Sequence, residues 1–210
     1  MTTVVVVKKN GKACIAADTL TGWQGLKQKD AYVTNNSKIL CVNENYFGLS
    51  GTLSHELVLL SYFSDTKRRY SFRNKQEIFE SWRRLHQSLK EDYHLNPHDD
   101  KDDEYESTQI VSLLANPYGI FGIYPMRSVV EFSKFWAAGS GMEYALGAMY
   151  SNYDRYEQAE DIARSAVEAA AEFDEGTELP VKLYSIALKT PTERVARLTN
   201  PKPKAVVRRK

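Results

Sequence analysis

The feature that most constrains this chain is that its hydrophobic period changes twice in the same order, from strand-like runs to a pair of helical stripes and back to strand. Val4-Val5-Val6-Val7 and Ala13-Cys14-Ile15-Ala16-Ala17 are unbroken apolar runs joined across Asn10-Gly11, a dipeptide favoured in tight hairpin turns. The chain is therefore expected to open with a buried hairpin. Further strands are expected at 31–34, 37–43 and 46–50. Helical spacing then takes over at 53–63, through Leu57, Val58 and Leu60, and again at Ile78, Phe79, Trp82, Leu85 and Leu89. Beyond a polar, acid-rich surface loop at 94–107, runs at 109–115 and 119–124 flank Asn116-Pro117-Tyr118 as a second hairpin, continued at 128–132. Gly139-Ser140-Gly141 leads into helices at 142–150 and 157–173, the latter with Ile162, Ala163, Ala166, Val167 and Ala170 on one face, before a last strand at 181–188. Two sheets can each bury one face on the other and cover the remaining face with helices. The expected fold is α+β, a four-layer α-β-β-α sandwich.

At 210 residues the chain can bury about 70% of its unfolded surface in one core. One domain is expected over 2–190, followed by a basic extension at 191–210 with no acid after Glu193. Lys and Arg number 28 against 27 Asp and Glu, so no bulk field draws the protein to nucleic acid or to an anionic membrane. The apolar stretch near Met1 is too short for a signal h-region, and no run approaches the roughly 20 apolar residues of a membrane span. Cys14 and Cys41 each sit in an apolar run without CxxC spacing, as buried free thiols of a reducing compartment do. Together these features lead us to expect a soluble, cytoplasmic protein.

The chemistry is concentrated near the start. Removal of Met1 would leave Thr2 with a hydroxyl and a free α-amine on one carbon framework, a nucleophile with its base attached. An α-amine of reference pKa about 7.7 to 8.0 is substantially neutral near pH 7, whereas a lysine at about 10.4 is not. Asp18 closes the apolar strand at 13–17, where a carboxylate acts as a turn cap or as partner to a buried cation. Lys38 precedes another apolar run. An ammonium near Thr2 would favour the deprotonated hydroxyl and disfavour protonation of the amine, and Asp18 would hold that lysine charged and fixed. Gly48-Leu49-Ser50-Gly51 ends a strand where a helix begins, a place for a backbone N–H to meet an oxyanion, and Gly48 is the expected donor.

Thr2-Thr3-Val4-Val5-Val6, Ile15-Ala16-Ala17-Asp18, Ser37-Lys38-Ile39, Gly48-Leu49-Ser50-Gly51 and Ala138-Gly139-Ser140-Gly141-Met142-Glu143-Tyr144-Ala145 together resemble proteasome β subunits and the HslV peptidase, which are N-terminal nucleophile hydrolases. The resemblance runs in order from Thr2 to Leu188. It is strongest to the stand-alone bacterial proteasome homologues described from betaproteobacteria. It implies that Thr2 is the nucleophile, tuned by Asp18 and Lys38, that Gly48 supplies the oxyanion N–H, and that Ser140, Asp174 and Thr177 complete the site. The spacing between Asp18 and Lys38 is longer than in proteasome β subunits, a departure that implies an enlarged loop at 21–29 beside the substrate channel, and the resemblance suggests Thr21, Leu40, Tyr46 and Ser50 as pocket lining. The function so implied is a self-compartmentalising threonine peptidase that works through an acyl-enzyme without metal or organic cofactor. Its expected partners are copies of itself in stacked rings, peptide or unfolded-protein substrates, and an ATP-dependent unfoldase as an optional one. A catalytically silent ring or scaffold subunit, and an amidase or transpeptidase using the same threonine, are the alternatives.

Other signals read as structure. The third glycine of a dinucleotide fingerprint would fall on Tyr144, with no surrounding βαβ unit. His94, His98, Asp99, Asp100, Asp102, Asp103 and Glu104 lack the glycine of an EF-hand loop and read as a solvated acidic segment. Trp82 and its stripe read as core or interface, and His55 as structural.

Overall fold

In the computed structural model, the structure describes residues 2–23, 25–51, 54–97 and 105–190. The expected basic extension at 191–210 and the acidic stretch at 98–104 lie outside the described residues. The chain opens with β1 (Thr3–Lys9) and β2 (Lys12–Ala17), antiparallel across Asn10 and Gly11, both at positive φ as a tight primed turn requires. A short hairpin follows, β3 (Thr21–Trp23) with β4 (Leu26–Gln28), where an enlarged loop was expected. Then come β5 (Ile39–Val42), β6 (Asn45–Ser50), α1 (Ser54–Ser64), α2 (Lys75–Glu91), β7 (Val111–Asn116), β8 (Gly119–Ile123) and β9 (Val129–Phe132). The last elements among the described residues are β10 (Phe135–Gly139), α3 (Met142–Asn152), α4 (Ala159–Phe173) and β11 (Lys182–Ala187).

Besides the β3–β4 hairpin, the described residues form two larger antiparallel sheets, one in the order β10-β1-β2-β11 and the other β5-β6-β7-β8-β9. The pleat of the first hairpin explains why its sequence carries no polar face. Val5, Val7, Cys14 and Ala16 pack against α3 and α4, while Val4, Val6, Ala13 and Ile15 pack against the second sheet with Leu113, Ala115 and Ile120. The second sheet's outer face is covered by α1 and α2, where Trp82 sits among Phe47, Phe63 and Phe72 with ring centroids 5.6, 6.1 and 6.3 Å away. The layers are thus helices, sheet, sheet, helices, as the twice-changed period implies.

Four details depart from the sequence reading. The run at 31–34 is not a strand, since Asp30–Tyr32 forms a 3-10 turn and Asn35 then takes a positive φ. α1 buries Leu59, Tyr62 and Phe63 while Leu57 is 70% exposed, because the aromatic cluster beneath the helix selects its face and an apolar run without polar gaps cannot. Phe79 lies one position off the buried stripe of Ile78, Trp82, Leu85 and Leu89 and is partly exposed. Cys14 is buried but Cys41 is exposed, on the edge strand β5. Among the described residues no helix is long and apolar enough to cross a membrane.

Candidate active site

β1 delivers Thr2 and Thr3 to the end of the first sheet, with Thr3 opposite Gly139 of β10. The approach is so close that a Cβ on Gly139 would fall 1.9 Å from the Thr2 carbonyl oxygen, and one on Gly141 would fall 2.2 Å from Thr3 Oγ1. Glycines at these two positions leave Ser140 as the one side chain of the triplet beside Thr2.

Asp18, the residue after β2, is fully buried. Its Oδ1 accepts from the Thr3 N–H at 2.9 Å, and its Oδ2 from the Leu20 N–H at 2.9 Å and the Glu178 N–H at 3.4 Å. Lys38 Nζ donates to both oxygens, at 2.8 and 2.9 Å. Lys38 is itself 8% exposed, and burial pushes its pKa below the ordinary lysine value although the Asp18 and Asp174 charges pull it upward. The pair is therefore fixed and desolvated at once, and its ammonium is easier to deprotonate than a surface lysine.

A second network begins at the Thr2 nitrogen, an amide while Met1 is attached, which donates to Ser140 Oγ at 3.2 Å. Ser140 Oγ lies 2.8 Å from Asp174 Oδ2 and 3.4 Å from the Thr2 carbonyl, and the shorter, charge-assisted contact takes its hydrogen. Thr177 Oγ1 donates to the same Asp174 oxygen at 2.6 Å, so in its 2.6 Å contact with Thr3 Oγ1 it accepts. Protons thus point toward Asp174 from both directions: Thr3 to Thr177 to Asp174, and Thr2 to Ser140 to Asp174. Asp174 is the C-cap of α4 and forms a turn with Thr177, whose N–H donates to the Asp174 carbonyl at 3.0 Å.

Thr2 and Lys38 open onto a cleft of about 550 Å³ walled by the β3–β4 hairpin, the segment at 33–37 and the start of α1. Of the expected lining residues, Thr21 borders this cleft. Leu40 does not, because the pleat turns it with Phe47 into the core beneath the helices. Tyr46 stands at the far end of β6, stacked on Tyr184 at 5.0 Å, and Ser50 packs beside Gly139. Gly48 also departs from expectation. Leu49 donates to Lys38 across to β5, so the neighbouring Gly48 turns its N–H toward Leu113 of β7 and away from the cleft. A Cβ at Gly48 would strike Val4 Cγ1 at 2.3 Å, so its glycine is explained by sheet-to-sheet packing. The glycine at the cleft is Gly51, at φ +135° beyond the end of β6. His55 is buried near it, and burial alone lowers its pKa, which keeps the ring neutral.

Sequence reasoning missed Gly51 and Thr3. Thr3 touches both networks, through its N–H to Asp18 and its hydroxyl to Thr177. A threonine heading a run of four valines was the available signal.

A four-layer sandwich with a threonine at the head of its central hairpin, set against a buried lysine–aspartate pair, has the architecture of the N-terminal nucleophile hydrolases. The sequence model described as "Proteasome subunit" matches residues 1–186, and the chain belongs to that family. Among solved structures it is similar to Thiobacillus denitrificans BPH in complex with epoxomicin, at 42% identity over 90% of this chain and 100% of that one, with a TM-score of 0.83. A second structure of Thiobacillus denitrificans BPH matches at 43% identity over 89% of this chain and 98% of that one, also at 0.83. Eukaryotic HslV from Trypanosoma brucei, at 16% identity over 88% and 99% and a TM-score of 0.62, shares the fold. A search of curated proteins gives no match.

Proposed function

We propose that this protein is a threonine peptidase whose nucleophile is Thr2, unmasked by cleavage of the Met1–Thr2 bond. The observation that carries the reading is the Thr2 nitrogen resting on Ser140 Oγ at 3.2 Å, at the end of a cleft that also holds the buried Lys38. Because Ser140 gives its hydrogen to Asp174, it offers the freed amine an acceptor, which orients the amine's lone pair toward the Thr2 hydroxyl. The amine takes the hydroxyl proton as Oγ1 attacks the scissile carbonyl, and Lys38 stabilises the developing negative charge. Gly51 supplies the oxyanion N–H in place of Gly48. Collapse of the tetrahedral intermediate breaks the C–N bond, the leaving amine departs with the proton, and water then hydrolyses the ester.

Assembly into stacked rings is part of this proposal, supported by family membership and by the exposure of Tyr144, Tyr150 and Phe173 on α3 and at the end of α4. Intact mass tests the chemistry: loss of Met1 followed by a covalent adduct with a peptide epoxyketone is expected, and absent from Thr2→Ala. A folded chain that keeps Met1 and takes up no adduct would instead mark a catalytically silent subunit.

A further inference from the structure

We propose that Glu56 sets substrate preference, drawing a lysine or arginine side chain of the peptide into the cleft beside Thr2; the inference rests on the peptidase reading above. Among the described residues that line the cleft, two carry charge, Lys38 and Glu56. The first is matched, since both oxygens of Asp18 hold its ammonium. The second is not. Among the described residues the Glu56 carboxylate has neither an ion-pair nor a hydrogen-bond partner, in contrast to Glu77, Glu106, Glu160 and Glu178, each of which is paired with a lysine or an arginine.

The rest of the wall is neutral, with Thr21, Gln28, Asn35 and Asn36 offering hydroxyls and amides and Leu20 and Val33 apolar surface. Asp18 offsets the Lys38 charge for any group not in direct contact with that ammonium, so the unbalanced formal charge on the described wall is that of Glu56. Its half-buried position withdraws it from water, and burial raises its pKa above the usual carboxylate value.

A guanidinium or ammonium entering the cleft would regain for Glu56 the charge-assisted hydrogen bonds that desolvation denies it. An apolar side chain would dehydrate the carboxylate further without a partner, and an acidic one would meet a like charge. A plainer role exists, since Glu56 lies in the first turn of α1, where a negative charge complements the helix dipole. That role makes no demand on the substrate, so the two separate by experiment.

The measurement is kcat/KM on fluorogenic peptide amides carrying Arg, Leu or Glu at the residue whose carbonyl is attacked. Arg is expected to exceed Leu, and Leu to exceed Glu. Glu56→Gln, nearly isosteric, should lower the Arg-to-Leu ratio about tenfold, the effect of losing one charged contact, and Glu56→Lys should invert the Arg-to-Glu order. An unchanged Arg-to-Leu ratio in Glu56→Gln overturns the inference. The peptidase reading would survive that result as long as the variant still turns over peptide and takes up an epoxyketone. If the unsubstituted protein cleaves none of the three peptides and takes up no epoxyketone, both the inference and the reading beneath it fall.

Discussion

The two carboxylates of the site are held in opposite ways. Asp18 is fully buried, ion-paired to Lys38 and surrounded by backbone N–H groups. Asp174 is half-buried and receives hydroxyl protons from Ser140 and Thr177 on one oxygen. The first arrangement confines a net-neutral ion pair where water screens it little, so its ammonium acts strongly on whatever lies beside it. The second leaves a carboxylate whose charge is felt as far as Lys38, and its hydroxyl contacts fix the direction of each hydrogen from Asp174 back to the Thr2 nitrogen. On this reading one arm of the site sets charge and the other sets orientation, a division that substitutions can break.

The largest expected effect lies in the charged arm. Lys38→Ala strands Asp18 as an uncompensated buried carboxylate, and removing one partner of a buried pair costs about 3–5 kcal/mol. Urea unfolding should register that loss together with loss of peptide turnover. A cost within about 1 kcal/mol, the scale of a surface pair, would mean that the three backbone N–H groups alone sustain Asp18 and that Lys38 contributes little to the fold.

Next in size is the orienting arm. Ser140→Ala should lower kcat about a hundredfold, the scale of a misdirected reacting group, with KM little changed and stability reduced by only about 1 kcal/mol. Its pH profile sharpens the comparison. The Lys38 pKa is lowered in the folded state, so activity should decline as pH rises toward 10.5 and the ammonium is lost. In that window the unfolded chain binds more protons at this lysine than the folded one, so its contribution to stability rises with pH. Titration of Lys38 therefore lowers activity without itself favouring unfolding, and circular dichroism on the same samples is expected to show the fold intact. Ser140→Ala should keep this alkaline limb, and its disappearance would show that the arms do not divide the work as described.

How much of this was legible in the sequence follows the same physical lines. The four layers were, because strand and helix periods differ and each repeats in long enough runs to be counted. The stretch Ala31 to Thr34 misled because its residues suit a strand while no strand among the described residues pairs with it. Asp18 and Lys38 could be singled out as charges abutting buried runs. Ser140, Asp174 and Thr177 could not, since nothing local tells a hydroxyl in a relay from one facing solvent, and they came from resemblance alone. Gly48 and Gly51 share one motif, and which of them faces the cleft depends on the hydrogen-bond phase of β6 against β5 and β7. Leu40 was misassigned for a related reason, because a one-residue shift in pleat moves a side chain from cleft to core.

Thr3 is where the two arms meet, and it carries the smallest effect and the most discriminating one. Thr3→Val is nearly isosteric and retains the backbone N–H to Asp18, but removes the hydroxyl hydrogen given to Thr177, at a cost of about 1 kcal/mol. Activity should fall less than in Ser140→Ala, because Thr177 keeps its own bond to Asp174. Combined with Ser140→Ala, the substitution should be non-additive in stability by about 0.5 kcal/mol or more, since both hydroxyl paths end on the same Asp174 oxygen. Combined with Lys38→Ala it should add within about 0.5 kcal/mol, the contact between Thr3 and the charged arm being a backbone one that valine preserves. The reverse pattern, coupling to Lys38 and additivity with Ser140, would assign the Thr3 hydroxyl to the charged arm and dissolve the distinction between the two.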